Sequence, residues 1–380
     1  MNIGLYVHIP FCAGKCGYCD FYSRPLATSL PEPFVETLLV ELDSAISTRN
    51  VRVETIFVGG GTPTVLPTEL MQRLFARMEQ IVAEHVPIEF TVEANPATLT
   101  DTKARLLRDS GVTRISMGAQ SFHERELKVL GRLHHPSDLA PTANVVHQMG
   151  FEHFNLDLIF GIPGQTLASW SESMGRAADL GPDHLACYGL TYEPGTDLHA
   201  QRDAGRIEPV HEDLEADMYL ATLDQLAELG LTQYEISNYA RPGGRCQHNL
   251  RYWHNEPSLG VGPAAASYCE GRRWRNVPDT GEYVRRIRAG EKTVIESEVL
   301  SPRRRAGETA MLMLRLNEGL GYEAFQRATG FDAQQLFADT ITKYEKHGLL
   351  TADTEHMALT RKGRLIANTV IADFLAPEPT

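Results

Sequence analysis

Leu5-Tyr6-Val7-His8-Ile9-Pro10-Phe11-Cys12-Ala13-Gly14-Lys15-Cys16-Gly17-Tyr18-Cys19 sets three cysteines directly behind a short apolar run. The run carries β-branched and aromatic side chains and reads as a strand that delivers the cysteines from its C-terminal end. Their spacing is C-x3-C-x2-C, and they are half of the six cysteines in the chain. Three thiolates so close together cannot all pair with one another, so the hook suits a metal centre better than a disulfide framework. A [4Fe–4S] cube has four irons and normally takes four cysteines; three leave one iron without a protein ligand and open to a substrate. The competing reading is a zinc hook with Asp20 or His8 as fourth ligand. Zinc sites usually bring two separated pairs of ligands, and no second Cys/His pair of suitable spacing is evident.

A chain of 380 residues suggests one large domain plus a smaller one, and 42 % hydrophobic content is ordinary for a soluble protein. A formal charge of -13 argues against a general nucleic-acid-binding surface, which needs a basic field. No apolar run approaches the roughly 20 residues that span a bilayer, and the N-terminus lacks a signal-type segment, so a cytoplasmic location is expected. Contact with a membrane surface stays open. Cys187, Cys246 and Cys269 are scattered and are expected as thiols in or near the core.

Beyond the hook, apolar side chains from Phe34 to Ile46 recur at three- and four-residue steps, which marks an amphipathic helix. The pattern repeats with a strand at Thr55–Val58 and a helix from Leu70 to Val82, then strands near Ile88–Val92, Arg114–Met117, Asn155–Phe160 and His184–Leu190. Such alternation requires parallel strands with crossover helices, either in a whole or partial barrel or in an open doubly wound sheet. Residues 241–295 have weak helical periodicity and read as short strands and loops. After Pro302 a helical stretch carrying Phe337, Ile341 and Tyr344, a small hairpin and a final helix suggest a winged-helix-like end domain. Without a basic stripe it is expected to pack or dock a partner rather than to bind nucleic acid.

Polar and glycine-rich motifs follow the strands. Gly59-Gly60-Gly61-Thr62-Pro63-Thr64 lets the backbone approach a ligand closely, although alone it is a weak signal and is not the G-x-G-x-x-G pattern. Glu93 ends the third strand, where it could accept from an ammonium or a ribose hydroxyl, or else cap the next helix. Gly118-Ala119-Gln120-Ser121 follows the fourth strand, with Arg132 beyond it, and the fifth carries Asp157 to Thr166.

The hook resembles that of the radical S-adenosylmethionine (SAM) superfamily, in which the amino and carboxylate groups of SAM chelate the unique iron of a [4Fe–4S] cluster. Tyr6 to Cys12, Gly59 to Thr64, Ser116-Met117-Gly118 and Asp157 to Thr166 together look like one family within it, that of anaerobic coproporphyrinogen III oxidases and the haem chaperone HemW. The resemblance runs over almost the whole chain. It implies a partial (βα)6 TIM-like barrel over residues 1–240, a strand/loop extension over 241–300 and a winged-helix-like C-terminal α+β domain over 301–380. It puts the cluster on Cys12, Cys16 and Cys19. The SAM contacts fall on Tyr6, Gly60, Gly61, Thr62, Glu93, Gln120, Arg132, Asp157 and the backbone of Ile159.

Two departures place the chain within that family. The oxidases carry a further cysteine two residues after the third, whereas this chain has Asp20 and then Phe21, which argues against porphyrinogen decarboxylation. His248-Asn249-Leu250-Arg251-Tyr252-Trp253 matches the H-N-x-x-Y-W pattern of the HemW branch, where it is associated with haem. Imidazole is a common axial ligand, so His248 is the candidate for haem iron. In the competing reading Tyr252 and Trp253 are core aromatics and His248 caps a turn or lies near SAM. The expected function is haem binding and transfer to an acceptor apoprotein, with an electron donor as a further partner if SAM is cleaved. The alternatives are an oxygen-independent coproporphyrinogen III oxidase and a non-haem scaffold with a structural cluster.

Overall fold

A computed structural model describes residues 1–47, 51–269 and 271–375. Six parallel strands form its centre: β1 (Asn2–Ile9), β2 (Arg52–Gly60), β3 (Glu89–Ala94), β4 (Arg114–Gln120), β5 (His153–Phe160) and β6 (His184–Gly189). They lie side by side in chain order, joined by helices such as Pro31–Ser47, Thr68–His85 and Leu167–Asp179. This is the partial (βα)6 barrel expected, rather than an open doubly wound sheet with crossed strand order.

Side chains alternate across the strands, and the register fixes which ones face inward. Leu5 and Val7 turn to the helices and are fully buried with Leu38, Ile56 and Leu74. Tyr6 pairs with Phe57 and His8 with Gly59, and these face the lumen. In β3 to β5 the same alternation brings Glu89, Thr91 and Glu93, Arg114 and Ser116, and Asn155 and Asp157 inside. The outer face builds the core, and the inner face is polar.

The sheet does not stop at the barrel. Beyond β6 lie β7 (Thr232–Glu235) and β8 (Asn238–Ala240), both in antiparallel pairing. On the other flank β9 (Ser258–Val261) runs parallel to β1, and β10 (Ala266–Cys269), β11 (Arg272–Asn276) and β12 (Val294–Val299) follow as an antiparallel meander. Residues 241–295, expected as strands and loops, also hold two helices, Gln247–Trp253 and Thr280–Arg288. The first spans only seven residues, too few to display a period. The second buries only Tyr283 fully and takes its N-cap from Asp279, whose carboxylate accepts from Glu282 N at 2.8 Å.

The C-terminal part has its own core around Leu314, Phe325, Phe337, Met357 and Phe374. Its helices, including Pro302–Met313 and Ala338–Lys346, surround a three-stranded sheet made of Leu320–Gly321, His356–Leu359 and Leu350–Ala352. Asn317 donates to Gln233 O at 2.7 Å and Asn255 to Thr309 Oγ1 at 2.9 Å, which ties this part to the sheet. No helix among the described residues is long and apolar enough to cross a membrane.

Candidate functional site

The cysteine hook leaves the C-terminal end of β1, where a short parallel pairing of Phe11–Cys12 with Arg24–Pro25 closes its loop. Gly61 N donates to Ile9 O at 2.8 Å and Thr62 N to Phe11 O at 2.7 Å, so the glycine turn after β2 lies flat against the chain entering the hook. This close approach explains the glycine: a Cβ on Gly61 would sit 2.5 Å from Phe11 O. Farther along, Gly17 N donates to Leu130 O at 3.0 Å, and Gly17 O accepts from Leu198 N at 2.8 Å.

Cys12, Cys16 and Cys19 all line one cavity of about 560 Å³ at the C-terminal ends of the strands. Gly60, Gly61, Thr62, Glu93, Gln120, Arg132, Asp157 and Ile159 line it too. Arg132 donates to Gly118 O at 2.6 Å and lies 3.5 Å from Cys16 Sγ, and its Nε is buried without a partner. Thr62 Oγ1 lies 3.9 Å from Cys12 Sγ. Burial pushes the Cys12 thiol up and the Cys19 thiol to about 11, so both are protonated at neutral pH until ligation replaces the proton.

A cube takes each cysteine on a different iron, and three cysteines on the wall of one cavity fit that donor set. The buried unpartnered nitrogen of Arg132 and two buried carboxylates beside the hook likewise fit a ligand that carries both a carboxylate and an ammonium.

Those carboxylates are Glu93 and Asp157. Glu93 does not cap a helix: its Oε2 accepts from Gly60 N at 3.0 Å, and the following helix is capped by Thr100. Burial, then the charge of Asp157, raises Glu93 to about 8. Asp157 is raised to about 6 by burial, against the pull of Asn155, which donates to it at 2.7 Å, and of Arg132.

Tyr6 is the one expected SAM contact outside this cavity. It lines a second, larger one of about 1310 Å³ with His8, Phe57, His248, Tyr252 and Trp274. Gly60, Glu93, Asp20 and Phe21 line both cavities, so the position where the oxidases carry a cysteine stands at their junction, with Phe21 63 % exposed. His248 is 1 % exposed, and both its nitrogens are engaged: Nδ1 with Thr55 Oγ1 at 2.8 Å and Nε2 with Tyr252 Oη at 3.0 Å. To ligate iron it would have to give up one of these bonds. His8 is held similarly, its Nε2 donating to Tyr22 O at 2.8 Å and its Nδ1 accepting from Tyr6 Oη at 2.9 Å.

The sequence reading passed over Phe57, Ser116, Tyr188 and Trp274 as wall residues. Phe57 and Ser116 reach the wall through strand register, Phe57 opposite Tyr6 and Ser116 opposite Glu93 on the neighbouring strands. Trp274 comes from a meander whose place in the sheet only long-range pairing decides.

A family model described as the radical SAM superfamily matches residues 6–177, and one described as the HemN C-terminal domain matches residues 300–366. The protein named heme chaperone HemW in Lactococcus lactis is 34% identical over 371 residues, 97% of this chain and 96% of that protein. Its namesake in Escherichia coli is 34% identical over 388 residues, 98% of each chain. The solved coproporphyrinogen III oxidase (HemN) from Escherichia coli, described as a radical SAM enzyme, aligns with a TM-score of 0.82 over 98% of this chain and 89% of its own. At 22% identity that likeness speaks to the fold. With curated relatives matched from end to end and the cysteine hook at the head of the barrel, this chain belongs to the HemW family of the radical SAM superfamily.

Proposed function

We propose that this chain is a haem chaperone that holds a [4Fe–4S] cluster and SAM in the smaller cavity, takes haem in the larger one, and passes it to an acceptor apoprotein. The observation that carries the reading is end-to-end similarity, at about a third identity, to proteins named heme chaperone HemW. Two adjoining cavities at the barrel mouth support it. The larger, at about 1310 Å³, exceeds the roughly 300–1,000 Å³ of an ordinary small-molecule pocket and has the aromatic walls a flat macrocycle needs.

Cys12, Cys16 and Cys19 would hold three irons, leaving the fourth for the amino and carboxylate groups of SAM. When bound, the cluster and SAM would supply one-electron chemistry at the sulfonium. The residues of this chain position and shield. Arg132 offers its guanidinium to a carboxylate, Glu93 and Asp157 offer buried negative charge to the ammonium and ribose, and Gly60, Gly61 and Thr62 let the backbone close on the ligand. Gln120, the Ile159 backbone and Tyr6 from the adjoining wall complete the set.

Phe21 stands at the junction of the two cavities, so the chain presents a ring rather than a thiol to a porphyrin there. Purified, reconstituted protein given coproporphyrinogen III, SAM and a reductant without oxygen is expected to yield no protoporphyrinogen IX. Sustained turnover would contradict the chaperone reading and favour the oxidase. Equilibrium dialysis with and without the cluster addresses SAM: binding that depends on the cluster is expected, and no binding in either form favours a scaffold with a structural cluster.

A further inference from the structure

The helix Gln247–Trp253 places His248 and Tyr252 one turn apart, both on the wall of the large cavity but unequally exposed. Tyr252 is 36 % exposed and His248 1 %. The imidazole is held at both nitrogens. Thr55 holds Nδ1 and Tyr252 holds Nε2. Phe57 lies 5.3 Å from its ring centre, and the ring packs over Gly4 so closely that an added Cβ there would stand 3.2 Å from Cε1. The Tyr252 ring meets it edge-on at 5.1 Å and 88°, its oxygen held by Nε2, and the partly exposed side chain lines the large cavity.

We propose that Tyr252, through its phenol oxygen, is the axial ligand to ferric haem in the large cavity, and that His248 is a positioning residue that holds that oxygen from behind. This rests on the haem-binding reading above. Phenolate is an established type of haem ligand, and it favours the ferric state.

The hydrogen bonds behind Tyr252 suit a ligand that changes protonation. With a neutral phenol, Oη–H donates to Nε2, and Nδ1–H donates to Thr55 Oγ1. With a phenolate, the other tautomer applies: Nε2–H donates to Oη, and the Thr55 hydroxyl donates to Nδ1. A hydroxyl serves equally as donor or acceptor, so both states leave the buried imidazole satisfied. On ligation the iron–oxygen bond forms, the O–H bond breaks, one proton leaves to solvent, and no electron moves. The same cavity is lined by Trp274, for the macrocycle face, and by Arg275, 2.7 Å from Glu296, for a propionate that can compete for that guanidinium.

Ferric haem added to the full-length protein, read by absorption, electron paramagnetic resonance and resonance Raman, tests the assignment. Wild type is expected to show a high-spin ferric spectrum with a phenolate–iron vibration. Tyr252→Phe removes one atom from a partly exposed side chain, so the fold should hold; it is expected to lose that vibration and weaken haem binding by roughly tenfold. His248→Gln and Tyr6→Phe are expected to keep the vibration, the former with a shifted frequency. The proposal is overturned if Tyr252→Phe leaves the spectrum unchanged, if Tyr6→Phe alone abolishes it, or if wild type is low-spin and His248→Gln removes that signature. A wild type that binds no haem at all sinks the haem-binding reading instead.

Discussion

Glu93 Oε2 accepts a hydrogen bond from the amide of Gly60 at 3.0 Å, which joins the ends of β3 and β2 where the two cavities meet. The bond fixes one buried carboxyl group near a second, that of Asp157. The charge on Glu93 is held back by burial and by Asp157, and the carboxyl stays protonated up to about pH 8.

The ligand-free protein should therefore lose stability as pH rises. In the unfolded chain Glu93 ionises near its ordinary 4.5, while folded it holds its proton to about 8. Below 4.5 both states carry the proton; between 4.5 and 8 the folded state carries more, and stability falls. Glu93→Gln removes this penalty. Urea unfolding at pH 8 is expected to show the variant more stable by on the order of 1–3 kcal/mol, with the difference vanishing near pH 4.5. Its SAM affinity should fall at neutral and higher pH, where the bound ammonium would draw the proton off Glu93.

Arg132→Lys keeps the charge and loses the fork. Arg132 reaches Gly118 O and Cys16 Sγ at once, and a lysine ammonium, as a single point, cannot span them. Dialysis should show SAM binding weakened roughly tenfold, and iron analysis should show lower cluster occupancy after reconstitution. Unchanged values for both would remove Arg132 from the site.

Gly61→Ala should damage the hook more than the fold. The added methyl would meet Phe11 O at 2.5 Å, pushing apart the glycine turn and the chain entering Cys12. Iron content per chain after anaerobic reconstitution is expected to drop severalfold, with circular dichroism unchanged.

Glu89→Ala tests the floor of the lumen. Glu89 and Arg114 are 2 % and 1 % exposed and lie 3.1 Å apart. Glu89 also accepts from Gln247 N at 3.0 Å and His248 N at 2.9 Å, anchoring the helix that carries His248 and Tyr252. Removing one member of a buried pair strands the other charge, so denaturant unfolding should report a loss of about 3–5 kcal/mol. Haem binding should weaken with it.

Much of this is written locally and can be read there. β1 to β6 follow from apolar runs and turn residues, and the hook follows from three cysteines at fixed spacing. The members of the smaller cavity sit at strand ends, so strand order alone gathers them. The larger cavity depends on β9 pairing with β1 and on a seven-residue helix whose start is held by Glu89, about 160 residues upstream in the chain. Neither leaves a local trace. His248 was singled out by its motif; that its nitrogens are spent on Thr55 and Tyr252 is a matter of tertiary packing.

The most direct measurement is an anaerobic titration of the reconstituted, full-length protein with haem, followed in the Soret region. Saturation at one haem per chain, with a band displaced from that of free haem, is the expected result. A spectrum that stays that of free haem through a stoichiometric excess would contradict a haem-carrying role.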